Sequence, residues 1–553
     1  MSVAISQDSK SPLRMMPTYR RTLGPNELSY FLPSRAYGLN DLFSRLIFRA
    51  PPGFVSPVRL RIVWAIMRLR HTLLCCRVEM QPGCYDEAQF VYTPPASPRH
   101  ALDEAEATSR VYDDITGPEL LTDYLGGPRK LSSQCLSRLE VARHGEVSPG
   151  VHEYHLVYMN HHAINSGVPF QWQCDMMLEL LGGSDVPGGP PRNDSELAKI
   201  LDDEWRKRWS RSRGPDDVIV PAMETRLGGN PRSSKFHEAA WRVDHQIVER
   251  RSIGGHTFPR VKSVTKNPRI VQVKFSVTQT AAIQAKCKSE RATIQNVSFT
   301  LANFAWIRLC AQHPELGASK TLPMMMYTAV GLQRHLPPPV SPLASGLSLA
   351  LGYCNVVLPT FLPASADARA LFWARSRAVQ SQMHAYTRSP LLPVRTQLVG
   401  AARGERAKAF ARQDDEADGT MPRRPVPAPV SARAPTAPTA APPAPSAALL
   451  GISHVGDITP FYHTARYPMV ELLDCIGVGR KAHGGLLLST RTFLGRFNMF
   501  MTWDTEGFPP GIMEEFWRYF VDGVHEFVLE DPSGTAEELD CLRTAPPRGR
   551  GKL

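Results

Sequence analysis

Two adjacent histidines, His161 and His162, are the residues of this sequence whose type and position most strongly suggest chemistry. They end an apolar run, EYHLVYMN, and Ser166 and Gly167 follow four residues later. A histidine at the end of a buried strand can act as a general base, because its ordinary pKa of about 6.5 is close to neutral pH. Such a base needs one ring nitrogen free and the other held by a neighbour. A turn at Gly167 would fix the ring and let a helix begin beside the strand.

Two other interpretations of the double histidine remain open on these residues. The first is a hydrogen-bonded polar pair at the end of a strand, which is the commoner situation for an isolated His-His pair. The second is a zinc site that adds His152 and His155 to one of the pair. Positions 152 and 155 of a strand point to opposite faces, and no cysteine or carboxylate completes the ligand set. We therefore predict no metal at this site.

The segment HHAINSG resembles the HHxxxDG signature of the coenzyme A-dependent acyltransferase superfamily. This superfamily includes chloramphenicol acetyltransferase, nonribosomal peptide condensation domains and fungal trichothecene-type O-acetyltransferases. Three more segments are similar to the family in the same order: ELSYFLPSRAYGLNDLF to the opening of fungal members, LRHTLLCCRV (69–78) to an RHxxLR stretch, and ISHVGDI (452–458) to an SNxG strand. The resemblance covers most of the chain except residues 402 to 448.

The resemblance implies two chloramphenicol acetyltransferase-like α/β lobes with a substrate tunnel between them. His162 would be the general base in the tunnel, and His161 would pack or orient the loop. Ser453 is the candidate that would stabilise the oxyanion. The co-substrate would be an acyl-coenzyme A, such as acetyl-coenzyme A, and no permanently bound cofactor is implied. The acceptor would be the hydroxyl, or the amine, of a small secondary metabolite.

The chain departs from the family pattern at Ser166, where the family has an aspartate. That carboxylate is usually structural and pairs with an arginine, which fixes the loop. Serine can keep a hydrogen bond but cannot neutralise a charge, and a buried arginine left without its partner would cost several kcal/mol. The alternative function is therefore a catalytically inactive, condensation-like protein that binds a carrier or partner protein.

The order of the predicted elements gives the fold class and the domain limits. Strands alternate with helices in both halves of the chain, which indicates an α/β protein. We expect an N-terminal lobe over residues 1–245, which carries the double histidine, and a C-terminal lobe over residues 246–553. Two amphipathic helices are clear, Ser56 to His71 and the helix after the histidines that ends at Gly182-Gly183. Residues 402–448 are rich in Pro and Ala, and we predict a disordered insertion there.

Composition restricts the partners and the location. The formal net charge of +12 suits an anionic ligand, but the basic residues are spread along the 553-residue chain, so we expect no nucleic-acid partner. No run of apolar residues is long enough to span a membrane. The ten cysteines have no CxxC spacing, which is typical of a reduced cytoplasmic protein. We expect a cytoplasmic monomer, with a peroxisomal location as the alternative because the chain ends in Gly-Lys-Leu.

Overall fold

The computed structural model describes residues 16–541 except 187–188, 210–212, 229–233, 264, 318–320, 339–342, 344, 423–445, 483, 532–533 and 535–536. The Gly-Lys-Leu terminus lies outside the described residues, as does the proline-rich part of the predicted insertion.

The described residues of the first half form seven strands and nine helices. The strands are β1 (Tyr19–Thr22), β2 (Leu42–Ala50), β3 (Arg77–Glu79), β4 (Gln89–Tyr92), β5 (Ser109–Tyr112), β6 (Ser137–Ser148) and β7 (Val151–Asn160). The helices are α1 (Pro25–Ser34), α2 (Pro57–Arg70), α3 (Pro98–Glu106), α4 (Gly117–Gly126), α5 (Gly167–Gly182), α6 (Asp194–Trp209), α7 (Pro215–Val218), α8 (Met223–Arg226) and α9 (Lys235–Arg251).

The described residues of the second half add eight strands and five helices. The strands are β8 (Pro268–Lys274), β9 (Met324–Gly331), β10 (Leu351–Leu358), β11 (Ala448–Asp457), β12 (Glu471–Gly479), β13 (Leu486–Phe493), β14 (Arg496–Asp504) and β15 (Glu537–Asp540). The helices are α10 (Val277–Ser289), α11 (Ile294–Gln312), α12 (Ala368–Thr387), α13 (Leu392–Ala417) and α14 (Ile512–Gly523), and a π-helical segment, Val524–Leu529, continues α14.

Two large mixed sheets organise these elements. The five-stranded sheet has the order β12-β2-β7-β6-β5, and the seven-stranded sheet has the order β10-β9-β11-β13-β14-β8-β15. A three-stranded sheet, β1-β4-β3, accompanies the first. Strand β12 comes from the second half of the chain but pairs antiparallel with β2 in the first sheet. The domain limits at residues 245 and 246 remain a prediction. Strand β12 belongs to the predicted C-terminal lobe in sequence, but it joins the sheet of the predicted N-terminal lobe.

The two helices with the clearest sequence signals are present. Helix α2 begins after Ser56, whose side chain accepts a hydrogen bond from the backbone N–H of Arg59, and Pro57 occupies the first helical position. Helix α5 ends at Gly182, and its apolar face includes the buried Phe170, Cys174 and Met177. In α2 the six consecutive residues from Ile62 to Met67 are all buried, so this helix is covered on more than one face.

The predicted disordered insertion at residues 402–448 is wrong over its first third. Helix α13 continues to Ala417, so residues 402–417 are helical. This part of the sequence is rich in Ala, Arg, Glu and Lys, which favour a helix, and the prolines of the insertion begin only at Pro422. The helix also packs closely on α1, since a methyl group at Gly404 would lie 3.2 Å from the backbone of Pro25. Residues 423–445 lie outside the described part of the chain.

Candidate active site

The double histidine lies at the turn that joins β7 to α5. Strand β7 lies inside the five-stranded sheet, between β2 and β6, and ends at Asn160. A short 3-10 turn, His162–Ile164, follows, and α5 begins at Gly167. The two histidines therefore lie at the end of a buried strand, as the sequence predicted, but they face different surroundings.

His162 has the hydrogen bonding that a general base requires. Its Nδ1 lies 3.0 Å from the carbonyl oxygen of Asn165. A carbonyl can only accept, so Nδ1 carries the proton and Nε2 keeps its lone pair. No described residue hydrogen-bonds to Nε2. The ring stacks on Tyr30, with 3.9 Å between centroids and 21° between planes. The pKa of His162 is lowered to about 4, chiefly by burial and with a contribution from the positive charges of Lys481 and Arg403, so the ring is neutral at pH 7.

His161 is held on both nitrogens. Its Nδ1 accepts the backbone N–H of Ala163 at 3.0 Å, so Nε2 carries the proton and donates to the hydroxyl of Ser34 at 2.6 Å. Ser34 in turn donates to the carbonyl of Phe31. The side chain of His161 is fully buried, and burial lowers its pKa well below the ordinary value. It ties the turn to α1 and has no lone pair left for a substrate.

The loop is fixed by a neutral network and not by a carboxylate at position 166. The side chain of Asn165 accepts the backbone N–H of Ser166 at 2.9 Å and donates to Gln173 at 2.6 Å, and Tyr158 donates to the same Gln173 oxygen at 2.8 Å. The three side chains of this network are buried. Because the network carries no charge, it needs no arginine partner. The hydroxyl of Ser166 has no hydrogen-bond partner among the described residues and does not cap α5.

Gly167 is the first residue of α5, as the sequence predicted. Its backbone is not in the left-handed region, so the turn does not require glycine for conformational reasons. A methyl group at this position would lie 3.6 Å from a methyl of Val455 on β11, which is ordinary van der Waals contact. A larger side chain would narrow the space between α5 and the second sheet.

A cavity of about 840 Å³ lies between the two large sheets. His162, Ser166, Gly167 and Ser453 all line it, so the structure brings together four of the five residues singled out in the sequence. Ser453 lies on β11 opposite Ser489 of β13, and no described residue hydrogen-bonds to its hydroxyl. His161 does not line the cavity, in agreement with its packing role.

The cavity is strongly cationic. Five basic residues line it: Arg260, Arg334, Arg403, Lys481 and Arg491. Among the lining residues that the structure describes there is no Asp or Glu. Lys481 is buried and donates to the side-chain oxygen of Asn40 at 2.9 Å, and burial lowers its pKa to about 8. The site therefore presents positive charge to whatever enters it.

Several lining residues were not identified from the sequence. Arg403 was missed because it fell inside the predicted insertion, and Lys481 because nothing in its local sequence marks it. His454 is a second histidine in the cavity, with its Nδ1 2.8 Å from the hydroxyl of Thr490. A hydroxyl can donate or accept, so this contact does not fix the tautomer of His454 as the carbonyl fixes that of His162. Asn165 was visible in the HHAINSG segment, but its amide network depends on tertiary contacts.

The other expectations concern metals, membranes and cysteines. Within the described ranges, no group of three or more His, Cys, Asp or Glu side chains could hold a metal ion. Those ranges also contain no helix that is long and apolar enough to cross a membrane. All ten cysteines are free thiols, and six of them are buried.

No family model matches the chain. No curated protein matches it either.

Comparison with solved structures finds similar folds at low sequence identity. The TRI3 trichothecene 15-O-acetyltransferase of Fusarium sporotrichioides is 13% identical with a TM-score of 0.66, over 92% of this chain and 95% of that one. The condensation domain of the monacolin K polyketide synthase MokA is 12% identical with a TM-score of 0.53, over 94% and 98%. Polyketide synthase associated protein 5 of Mycobacterium tuberculosis is 14% identical with a TM-score of 0.50, over 92% and 100%.

These similarities extend over nearly the whole chain, so they concern both sheets and the cavity between them. At such identities they establish the fold. The predicted fold class is confirmed: the chain has the two-lobed α/β fold of chloramphenicol acetyltransferase-like and condensation-domain proteins.

Proposed function

We propose that this protein is an acyltransferase that moves an acetyl or longer acyl group from a coenzyme A thioester to the hydroxyl, or the amine, of a small secondary metabolite. His162 is the general base of the proposed reaction. The fold supports acyl transfer in general, because the similar structures include an acetyltransferase and a condensation domain.

The observation that carries the proposal is the state of the His162 ring. The carbonyl of Asn165 fixes the proton on Nδ1, which leaves the Nε2 lone pair without a partner among the described residues, and the side chain lines a cavity of about 840 Å³. Stacking on Tyr30 restricts rotation of the ring. A neutral, oriented imidazole of this kind can accept a proton without first losing one.

The proposed reaction needs no group beyond these residues and the two substrates. Nε2 of His162 takes the proton of the acceptor hydroxyl as its oxygen attacks the thioester carbonyl carbon. Ser453 is proposed to donate a hydrogen bond to the oxyanion that forms on the carbonyl oxygen. The carbon–sulfur bond then breaks, and the imidazolium returns its proton to the departing thiolate. The products are the acyl ester and free coenzyme A.

Charge supports coenzyme A as the donor. Coenzyme A carries several phosphates, and the cavity has five lining cations with no lining carboxylate among the described residues. A polyanionic donor is attracted to such a site, and this attraction should weaken as salt is added.

The test is acyl transfer itself. The purified protein would be incubated with acetyl-coenzyme A and a panel of hydroxylated and amino acceptors, with free thiol release measured by a colorimetric reagent and acylated products by mass spectrometry. We expect acceptor-dependent thiol release that is lost in His162→Ala. His100→Ala is the matched control, because His100 is an exposed histidine on α3 and far in sequence from the site.

Two outcomes would contradict the proposal. Full turnover in His162→Ala would exclude His162 as the base. Tight binding of a carrier or partner protein without any acyl transfer would favour the inactive, condensation-like alternative.

A further inference from the structure

Each of the five lining cations makes one side-chain hydrogen bond to a described residue, and that of Arg403 is the longest. Arg403 donates from Nη2 to the hydroxyl of Ser29 at 3.4 Å, and its Nε is buried without a partner. No carboxylate in the described part of the chain lies within 4.0 Å of its guanidinium. By contrast, Arg260 and Arg491 each donate to a backbone carbonyl, and Lys481 donates to Asn40.

The surroundings of Arg403 position its guanidinium without neutralising it. Its central carbon lies 3.9 Å from the ring centroid of Tyr353 and 5.6 Å from that of Tyr30. The hydroxyls of these two tyrosines are 2.5 Å apart, so each fixes the other. Stacking on aromatic rings stabilises a cation but leaves its in-plane N–H groups free to donate. A half-buried guanidinium in this state is suited to an anion from outside the chain.

A third tyrosine adds a free donor on the same side. Tyr327 on β9 lines the cavity, and its hydroxyl has no partner among the described residues. Its ring packs closely over β11: a methyl group at Gly451 would lie 2.7 Å from the Tyr327 hydroxyl oxygen and 2.6 Å from the adjoining ring carbon. Glycine at 451 is therefore what allows Tyr327 to occupy this position.

The Arg403 guanidinium lies near the proposed base, His162. Tyr30 contacts both partners, since its ring stacks on His162 at 3.9 Å and lies under the Arg403 guanidinium. An anion bound by Arg403 would consequently be a neighbour of the atom that reacts at His162 Nε2. The phosphates of coenzyme A are separated from its thioester by the long pantetheine arm, so they do not match an anion site beside the reacting centre.

We propose that Arg403 and Tyr327 bind a carboxylate of the reacting molecules, adjacent to the centre of acyl transfer. This inference rests on the proposed function and specifies its substrate class. The carboxylate belongs either to the acceptor, which would then be a hydroxy or amino acid, or to a dicarboxylic acyl group on coenzyme A. Both sources present the same chemistry: two oxygens that accept the parallel N–H groups of one guanidinium.

The test measures binding by calorimetry with two matched pairs, so it does not depend on turnover. The acceptor pair is para-hydroxymethylbenzoate and its uncharged amide, para-hydroxymethylbenzamide. The donor pair is succinyl-coenzyme A and butyryl-coenzyme A, which differ by a terminal carboxylate. We expect the wild-type protein to bind the charged member of one pair at least tenfold more tightly, and the pair that shows this preference identifies the source.

Variants assign the preference to the residues. Arg403→Gln should reduce the preference to less than threefold, and Tyr327→Phe should reduce it by a smaller factor. Arg406→Gln is the matched control, because Arg406 is an exposed arginine on the same helix, and it should keep the preference. Arg403→Lys keeps the charge without the paired N–H groups and should retain part of the preference, which shows that the position tolerates substitution.

Three outcomes would overturn the inference. The first is that the wild-type protein shows no preference for the charged member of either pair, including no binding of any of the four compounds. The second is a preference that persists in Arg403→Gln, and the third is that Arg403→Gln loses affinity equally for the charged and uncharged members. A carboxylate preference in a protein that transfers no acyl group would uphold this inference and contradict the proposed function, so the two failures are distinguishable.

Discussion

The two sides of the turn after β7 carry the same side chain in opposite situations. On the inner side, both nitrogens of His161 are used in hydrogen bonds, to Ala163 and Ser34, and the ring is fully buried against α1. On the outer side, only Nδ1 of His162 is used, Nε2 has no hydrogen-bond partner among the described residues, and the side chain lines the cavity. The difference shows why only His162 is available as a base: one of its ring nitrogens has no hydrogen-bond partner among the described residues, whereas both nitrogens of His161 are occupied.

The first prediction compares alanine variants of the two histidines, and it has the largest expected effect. His162→Ala should lower kcat/KM by about 10²- to 10⁴-fold, because it removes the proton acceptor, and should leave the free energy of unfolding nearly unchanged. His161→Ala should lower the free energy of unfolding by about 2–3 kcal/mol, since it leaves the Ala163 N–H unpaired and opens a void. Steady-state kinetics and urea denaturation of both variants measure the contrast. A similar loss of activity in both variants, with both fully folded, would contradict the assignment of catalysis to His162 and packing to His161.

The next effect concerns the opposite wall of the cavity. We expect Ser453→Ala to lower kcat by about 10²-fold with little change in KM, because an oxyanion donor acts only in the transition state. Ser489→Ala is the matched comparison, since Ser489 pairs with Ser453 in the sheet register and also lines the cavity. A larger loss of kcat in Ser489→Ala than in Ser453→Ala would indicate that the oxyanion donor is Ser489 on β13.

The pH dependence of kcat/KM should reflect the protonation of His162 and not that of His161. Burial lowers the pKa of His162 to about 4, and its protonated form cannot accept a proton, so kcat/KM should hold from pH 7 to pH 5 and fall as the pH falls through about 4. Lys481→Met removes a positive charge near His162 and should move this acid limb to higher pH. His161→Ala should not move it. An acid limb near pH 6.5 in the wild type would contradict the buried environment of His162.

The smallest effect is expected at Ser166. Its hydroxyl makes no hydrogen bond to a described residue, so Ser166→Ala should change turnover by less than about twofold and stability by less than about 0.5 kcal/mol. Asn165→Ala is the comparison, because it breaks the network with Gln173 that fixes the loop, and it should lower both turnover and stability further. If Ser166→Ala were the more damaging of the two, the neutral network would not be what holds the turn.

The features that depend on short-range patterns could be predicted from the amino-acid sequence. The apolar run of β7, the caps and periodicity of α2 and α5, and the segment HHAINSG were enough to place a turn with two histidines at the end of a buried strand. The order of similar segments was enough for the two-lobed fold. These features are local, or are repeated along the chain, so neighbouring residues encode them.

The set of groups that meet at the site depends on packing between elements that are distant in sequence. Arg403 is about 240 residues from His162 in sequence, yet Tyr30 from α1 contacts both, because α13 packs on α1 and not because of any local signal. The residues that hold the loop in the absence of a carboxylate at position 166 are also visible only in three dimensions, where Asn165, Gln173 and Tyr158 meet as a neutral hydrogen-bonded network. Such contacts depend on packing between distant elements, and a single sequence does not record which buried donor finds which acceptor.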